Sequence, residues 1–427
     1  MDFSHSDRAL ALLQQLQAFM QRYLLPYNAA WHRSVQEGVY PPSFLEDLKA
    51  LAREEGLWNL FLPSLRADQP GTALGHLDYA PLAEAMGRLP WAAEVFNCSA
   101  PDTGNMELLQ LFATPRQDQE WLAPLLEGSI RSAFAMSEPD VASSDPTNLQ
   151  TTVRRDGDGL VLNGRKWFIT GAAHPRCKLL IVMCRNDGDA DADGHHRHSM
   201  VLVPLETAGV QVLRNISVVH HLAPEGHCEI VLRDVRVPAA NLLGAWGEGF
   251  AMAQARLGPG RVHHCMRTIG QCELALELTG ERALERITFG RHLSEFSNVQ
   301  DWIAESRIEI DQARLLVLHT AWLLDQGKVE PQRLRAEVAA IKVVAARLQT
   351  RVVDRAMQVF GAMGLSPDTP LAGFWTWGRA LQLMDGPDEV HLRTVARYEL
   401  AQARARLGAT AAYYTTPEQL LAPPRIR

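Results

Sequence analysis

The chain has 427 residues, 47% of them hydrophobic and 21% charged, enough for about three domains by the usual length prior and ordinary for a well-packed globular protein. A formal net charge of -7 and a pI near 6.1 exclude the basic stripe that a nucleic-acid binder presents. No apolar run is long enough for membrane insertion, and Asp7 and Arg8 precede an amphipathic stretch where a secretory leader would place its core, so the sequence reads as soluble and cytoplasmic.

From the start, helical periodicity dominates: Leu10, Leu13, Leu16, Phe19 and Met20 share one face, and Phe44, Leu48, Leu51 and Ala52 repeat the pattern. Proline and glycine clusters at Pro41-Pro42, Pro70-Gly71 and Pro101 to Gly104 punctuate it, giving a helical domain over 1–131. The period then changes. Thr151 to Val153 and Leu160 to Leu162 flank the turn Asp156-Gly157-Asp158-Gly159, and β-prone runs follow at Leu179 to Met183, Met200 to Val203, Val210 to Leu213 and Glu229 to Leu232. These place a compact β domain over 132–245. The polar segment Asp187 to His198 inside it reads as a mobile loop whose His195, His196 and His198 are solvated rather than metal-binding.

Helices return at Gly249. Val299, Trp302 with Ile303, Ser306, Ile310, Ala313, Val317, Thr320 with Ala321, and Leu324 trace a stripe at mixed three- and four-residue spacing. Ala336 to Val359 is Ala/Val-rich and reads as buried on several sides, so a helical bundle over 246–412 closes the fold, followed by a tail over 413–427. The six cysteines, Cys98, Cys177, Cys184, Cys228, Cys265 and Cys272, are scattered without a C-x-x-C pair and read as reduced structural thiols, with no metal site. The pairs His220-His221 and His263-His264 carry no assignment from sequence.

Near the end lies Leu383-Met384-Asp385-Gly386-Pro387-Asp388-Glu389-Val390-His391. Pro387, Asp388 and Glu389 read as a first helical turn capped by Gly386, where proline loses no bond and acids offset the helix dipole. Asp385 stands one step outside, on an Asp-Gly turn, and no such role explains it. It is the candidate base.

Further motifs carry a resemblance. Ala135-Met136-Ser137-Glu138-Pro139 followed by Ser143-Ser144-Asp145, and Asn163-Gly164-x-Lys166-Trp167-Phe168-Ile169-Thr170, resemble the T-E-P-x-x-G-S-D and N-G-x-K-x-W-I-T patterns of the acyl-CoA dehydrogenase family. Glu285-Arg286-Ile287-Thr288-Phe289-Gly290 looks like its E-R-x-x-F-G, Gln358-Val359-Phe360-Gly361 like its Q-x-x-G-G, and Asp385-Gly386 like its catalytic E-G. Each alone is weak; their joint order is specific. The run Gly258-Pro259-Gly260-Arg261-x-His263-His264-Cys265-Met266-Arg267 is similar to a subgroup whose animal members carry a kinase-like domain ahead of the dehydrogenase, a domain these 427 residues do not include.

The resemblance implies a mainly α fold with a central β domain: an N-terminal helical domain, a middle β-barrel-like domain and a C-terminal four-helix bundle, with FAD held near a subunit interface. It implies that Phe134, Met136, Ser137, Ser144, Phe168, Ile169 and Thr170 meet the flavin, its ribityl chain or the thioester, and that Arg286 reaches the FAD pyrophosphate of a neighbouring subunit. Gln358 and Gly361 would hold the adenosine end, and Pro387 and Glu389 would pack near the flavin. Ser144, Gly258, Gly260, Arg261 and Gly386 would receive the substrate. The implied reaction is dehydrogenation of a fatty acyl-CoA to the 2-enoyl-CoA. Electrons would pass to an electron-transfer flavoprotein, and the protein would be a homodimer or a homotetramer built as a dimer of dimers.

The chain departs from the pattern at several points. Phe168 stands where many members have Trp, Ala362 replaces the second glycine of Q-x-x-G-G, Pro387 and Glu389 replace a Thr and a Gln, and Phe296-Ser297 replaces a His-Gln pair. Asp385 is one methylene shorter than the usual Glu. Some members place the base instead beside the residue corresponding to Arg261, but Gly260 closes that route. An oxygen-using flavin oxidase of the nitroalkane type and a silent flavin or acyl-CoA binder are the alternative readings.

Overall fold

A computed structural model of the chain describes residues 2–188 and 196–417. Helices α1 (Asp7–Phe19), α2 (Asn28–Gln36), α3 (Leu45–Glu54), α4 (His76–Gly87), α5 (Ala92–Val95), α6 (Asp102–Phe112), α7 (Pro115–Gln117) and α8 (Ala123–Leu126) precede the sheet. The Ser6 hydroxyl starts α1 by accepting from the Ala9 N–H at 3.2 Å. Its buried face is Ala9, Leu16 and Phe19. Leu10, expected on that face, is exposed, because one step along a helix turns the side chain by about 100° from the stripe that starts at Ala9.

Strands β1 (Arg131–Ala135), β2 (Thr152–Asp156), β3 (Gly159–Thr170), β4 (Cys177–Asn186), β5 (His198–Pro204), β6 (Val210–Asn215), β7 (His227–Pro238) and β8 (Leu242–Leu243) form one sheet in the order β6-β7-β3-β2-β4-β5-β8, with β1 parallel to β4. Strand alternation puts Leu179, Ile181 and Met183 of β4 into the core shared with the helices, and Leu180, Val182 and Cys184 into the core of the β domain. His198, expected to be solvated, is instead fully buried in β5, paired with Arg185. The polar composition ahead of it hides the start of that strand; the expected mobile loop, with His195, falls mostly on 189–195, outside the described residues.

Helix α9 (Gly249–Glu285), the hairpin β9 (Ile287–Thr288) and β10 (Arg291–His292), then α10 (Ser297–Gln326), α11 (Pro331–Phe360), α12 (Leu371–Leu381) and α13 (Asp388–Ala405) complete the chain. The α10 stripe buries Val299, Ser306, Ile310, Ala313, Val317, Thr320 and Ala321, with Leu323 rather than Leu324 the more buried at its end. Helix α4 crosses α9 backbone to backbone: a Cβ on Gly270 would overlap the Glu84 carbonyl, and one on Gly87 the Arg267 carbonyl. That crossing presses α9 against the N-terminal helices. Beneath β1, buried Arg131 pairs with Glu94 and Asp102, and Lys49 meets Glu94 at 3.0 Å, tying the helical domain to the sheet. All six cysteines are buried and free. No described helix is long and apolar enough to cross a membrane.

Candidate active site

Asp385 sits in the turn between α12 and α13. The Leu383 and Met384 N–H groups both donate to the Ala380 carbonyl at 2.9 Å, and the backbone then reverses through Asp385 (φ 54°) and Gly386 (φ 98°). Aspartate tolerates the left-handed region better than most residues. Gly386 is required for a second reason, since a Cβ there would come 2.9 Å from His391 Nε2. The cap of α13 is Pro387 rather than Gly386: its φ is helical but its ψ is 157°, so the helix proper begins at Asp388. The acidic first turn is otherwise as expected, with buried Asp388 accepting from Arg347 Nε at 2.8 Å and Glu389 exposed.

Basic side chains from three helices converge on this turn, and they bind its backbone. The Asp385 carbonyl accepts from Arg261 Nε of α9 at 2.8 Å and from His391 Nε2 of α13 at 3.1 Å. Lys342 of α11, fully buried, donates to the Leu381 carbonyl and reaches Gly386 O at 3.5 Å. The Asp385 carboxylate itself accepts no hydrogen bond at ordinary distance among the described residues; its ion-pair contact is His264 Nε2, 3.5 Å from Oδ2. Burial pushes this carboxyl up, but His264, Arg261, Arg256 and Lys342 together outweigh it and hold the group below the ordinary aspartate value. The result is an ionised carboxylate on a fixed backbone. The Asp385 N–H also has no partner among the described residues.

The opposite wall comes from the sheet. Glu138 and Lys166, both buried, pair at 2.8 Å; Lys166 Nζ also donates to the carbonyls of Met136 and Met183, while Glu138 accepts from the Gln150 and Thr151 N–H groups. This links the two motif segments, and the Trp167 N–H closes onto Ser137 O at 3.0 Å. Pairing of β3 with β7 skips Trp167 and Phe168. Phe168 takes φ 52° there and leaves 42% of its surface open. The Thr170 hydroxyl meets His227 Nδ1 at 2.9 Å, and the His227 ring packs edge-on to Trp377 of α12 at 5.6 Å, so this strand end faces the bundle. Phe134 lies under the Arg256 guanidinium, 4.0 Å from its carbon; Met136 and Ser137 are half-buried and Ser144 is exposed. Ile169 points into the sheet core, leaving only its backbone for a ligand.

The residues suggested by sequence thus fall into two groups. Asp385, Gly386, Pro387 and Arg261 form one end of the site, and a Cβ on Gly258 or Gly260 of the same helix would meet open space. Arg286 is exposed past the end of α9, roughly 37 Å of helix beyond Arg261. Exposed Gln358, and Gly361 with φ 63°, lie at that far end too, where Arg282 of α9 stacks on Phe360 of α11. Five residues of the site carry no assignment from sequence: Arg256, His264, Arg267, Lys342 and His391. Spacing carries a signal for part of the set, since Arg261, His264 and Arg267 recur every three residues of one helix.

Comparison with known proteins decides the family. Models of the acyl-CoA dehydrogenase N-terminal, middle and C-terminal domains match residues 6–129, 133–235 and 247–400. The chain belongs to the acyl-CoA dehydrogenase family. It is 50% identical to the Mycobacterium tuberculosis protein named probable acyl-CoA dehydrogenase FadE2, over 96% of this chain and 99% of that one. It is 46% identical to acyl-CoA dehydrogenase family member 11 of Gallus gallus, covering 95% of this chain but 52% of that protein. A solved Mycobacterium abscessus structure from the same family superposes with a TM-score of 0.88 at 46% identity, over 93% of this chain and 99% of that one. This acyl-CoA dehydrogenase is therefore an FAD-dependent oxidoreductase by membership. The residues present fit the flavin: a partly open aromatic ring stands on a strand bulge released from β7, and the Asp385 carboxylate of the bundle carries no short hydrogen bond.

Proposed function

We propose that the protein dehydrogenates a fatty acyl-CoA thioester to the 2-enoyl-CoA, with Asp385 as the base. One observation carries the assignment: Arg261 and His391 hold the Asp385 backbone carbonyl and leave its carboxylate without a short hydrogen bond. Bound flavin supplies the two-electron acceptor. The Asp385 carboxylate takes the proton from the carbon next to the thioester carbonyl as hydride leaves the adjacent carbon, and the double bond forms between them. The unpartnered Asp385 N–H donates to the thioester oxygen, stabilising the negative charge that develops there. Closure of the acyl chain over the site excludes water and raises the carboxyl from its low resting value toward the range in which a base works well.

Phe134, Met136, Ser137, Phe168, Thr170 and the backbone of Ile169 make the flavin wall, with Pro387 and Glu389 beside it. Ser144, Gly258, Gly260, Arg261 and Gly386 line the substrate side. Arg286, Gln358 and Gly361 are too far along the bundle to serve the same flavin ring, and they are assigned to the pyrophosphate and adenosine end at a subunit contact. Phe289, 94% exposed, with Leu284, Ile287 and Leu365, supplies apolar surface for that contact. A homodimer, or a tetramer built from two of them, covers it. An electron-transfer flavoprotein is the proposed acceptor and the cytoplasm the proposed location.

The test is Asp385→Asn. The variant keeps bound yellow flavin but does not bleach on anaerobic mixing with a panel of acyl-CoA thioesters; normal bleaching rejects the base assignment. Rapid reoxidation of wild-type flavin by air, with peroxide formed, would instead favour the oxidase reading that an aspartate base also suits.

A further inference from the structure

His264 is a half-buried histidine on the α9 face that carries Arg261 and Arg267, and the family resemblance gives it no role. Arg267 Nη2 lies 3.2 Å from His264 Nδ1. A guanidinium has donors only, so Nδ1 must accept, and the hydrogen of the neutral ring must sit on Nε2. Nε2 is the atom that faces Asp385 Oδ2, in ion-pair contact at 3.5 Å, a few tenths of an ångström beyond ordinary hydrogen-bond distance. Burial first, and Arg267 second, hold the imidazole down at about 4 although Asp385 pulls it up, so the ring is neutral near pH 7.

We propose that His264 is a positioning residue for Asp385: a neutral Nε2–H donor, its tautomer fixed by Arg267, that aims the short carboxylate at the carbon to be deprotonated. The inference rests on the reading of Asp385 as the base. It answers the problem of reach, because a carboxylate one methylene shorter than glutamate has less freedom to search for its target and gains more from being held. The remaining charged groups around the pair are already engaged or more distant. Arg261 of α9 and His391 of α13 bind the Asp385 carbonyl, Lys342 of α11 binds the carbonyls of Leu381 and Gly386, and Arg256 of α9 is turned to Asn105 and Phe134. His263, next on α9, faces Glu107 at 3.9 Å on the other side of the helix. His264 is the group left to orient the carboxylate.

The experiment compares His264→Leu and His264→Gln, as flavin-loaded full-length protein, by anaerobic stopped-flow bleaching with acyl-CoA across pH. Loss of one donor to a charged acceptor predicts that His264→Leu lowers the limiting bleaching rate about ten- to a hundredfold, with little change in half-saturating acyl-CoA concentration. It also moves the acidic limb of the profile upward, since the carboxylate loses a group that favours its charged form. The His264→Gln amide restores a donor and recovers most of both effects. Arg267→Met, which leaves the imidazole but frees its tautomer, also slows bleaching; it carries the test if His264→Leu does not hold flavin. An unchanged limiting rate and acidic limb in His264→Leu, or in Arg267→Met where that variant carries the test, overturn the proposal. A rate loss with no movement of the limb and no rescue by Gln also overturns it, as a packing effect. Asp385→Asn in the same assay separates the two readings: if it bleaches normally the base assignment fails, and if it is silent while His264→Leu is normal only the positioning role fails.

Discussion

Two carboxylates in this molecule sit among basic side chains and end in opposite states. Glu138 has both oxygens occupied, by Lys166 Nζ and by the Gln150 and Thr151 N–H groups. Asp385 is met by Arg261, Lys342 and His391, yet they take its carbonyl and its neighbours' carbonyls, and its carboxylate is left with His264 at 3.5 Å. A saturated buried ion pair is a structural joint, here between the two motif segments. An unsaturated carboxylate on a backbone held from three sides is reactive, because its desolvation is not offset by bonds that a substrate would have to break.

The sharpest break of this comparison is a pair of substitutions with opposite readouts. Asp385→Asn should lower the bleaching rate by about 10²–10⁴-fold, the usual worth of a positioned base, while its thermal midpoint stays near wild type. Lys166→Met should do the reverse in kind. It strands Glu138, 2% exposed, and should cost about 3–5 kcal/mol of stability by urea unfolding. The double variant Lys166→Met/Glu138→Gln should recover part of that, since no charge is then left unpaired. A Lys166→Met protein of normal stability would show that the motif lysine is not a structural joint.

How much of this was legible in the sequence differs between the two sites. The segments around Glu138 and Lys166 stand out as motifs, but the ion pair joining them crosses two elements and no local pattern announces it. Strand β1 escapes the β-prone runs because Arg-Ser-Ala-Phe-Ala has little alternation, as suits a parallel strand covered on both faces. The α10 stripe is legible because a half-buried helix must alternate by threes and fours. Asp385 is legible by elimination, its acidic neighbours being explained by the start of α13. Its clamp is not, since Lys342 hides in an Ala/Val-rich run and meets the turn only through tertiary packing. His198 misleads in the other direction, as polar composition around it hides the residue where β5 begins.

The histidines near the site give the next largest effect and separate it from the carboxylates by pH. Burial, with Arg261 and Lys342 adding to it, lowers His391 to about 4 against an ordinary 6.5, although its bond to the Asp385 carbonyl pulls the other way. Between those values the unfolded chain binds the proton and the folded one does not, so stability rises with pH across the window and is lost as pH falls from about 6.5 toward 4. Glu138 and Asp385 are both shifted below their ordinary values, so what they contribute is kept through that window and lost only at more acidic pH. Urea midpoints should therefore decline first below about pH 6.5, and His391→Gln should remove up to about 3 kcal/mol of the decline. A decline that begins only below the carboxylate range would contradict the burial of these rings.

The smallest effect tests whether the neighbouring acid could take over the role given to Asp385. Asp388 is intermediate between the two carboxylates: one oxygen accepts from Arg347 Nε at 2.8 Å, and the other is buried without a partner among the described residues. It also opens α13, where the helix dipole favours its charge whether or not Arg347 is present. Because the Arg347 side chain is 45% exposed, Arg347→Ala should cost no more than about 1 kcal/mol. It should also leave the bleaching rate within about twofold, since it touches neither Asp385 nor the cations that hold the turn. A loss approaching that of Asp385→Asn would mean that the Arg347–Asp388 pair governs the proton transfer, and that the free carboxylate of Asp385 is a bystander in a turn built for its neighbour.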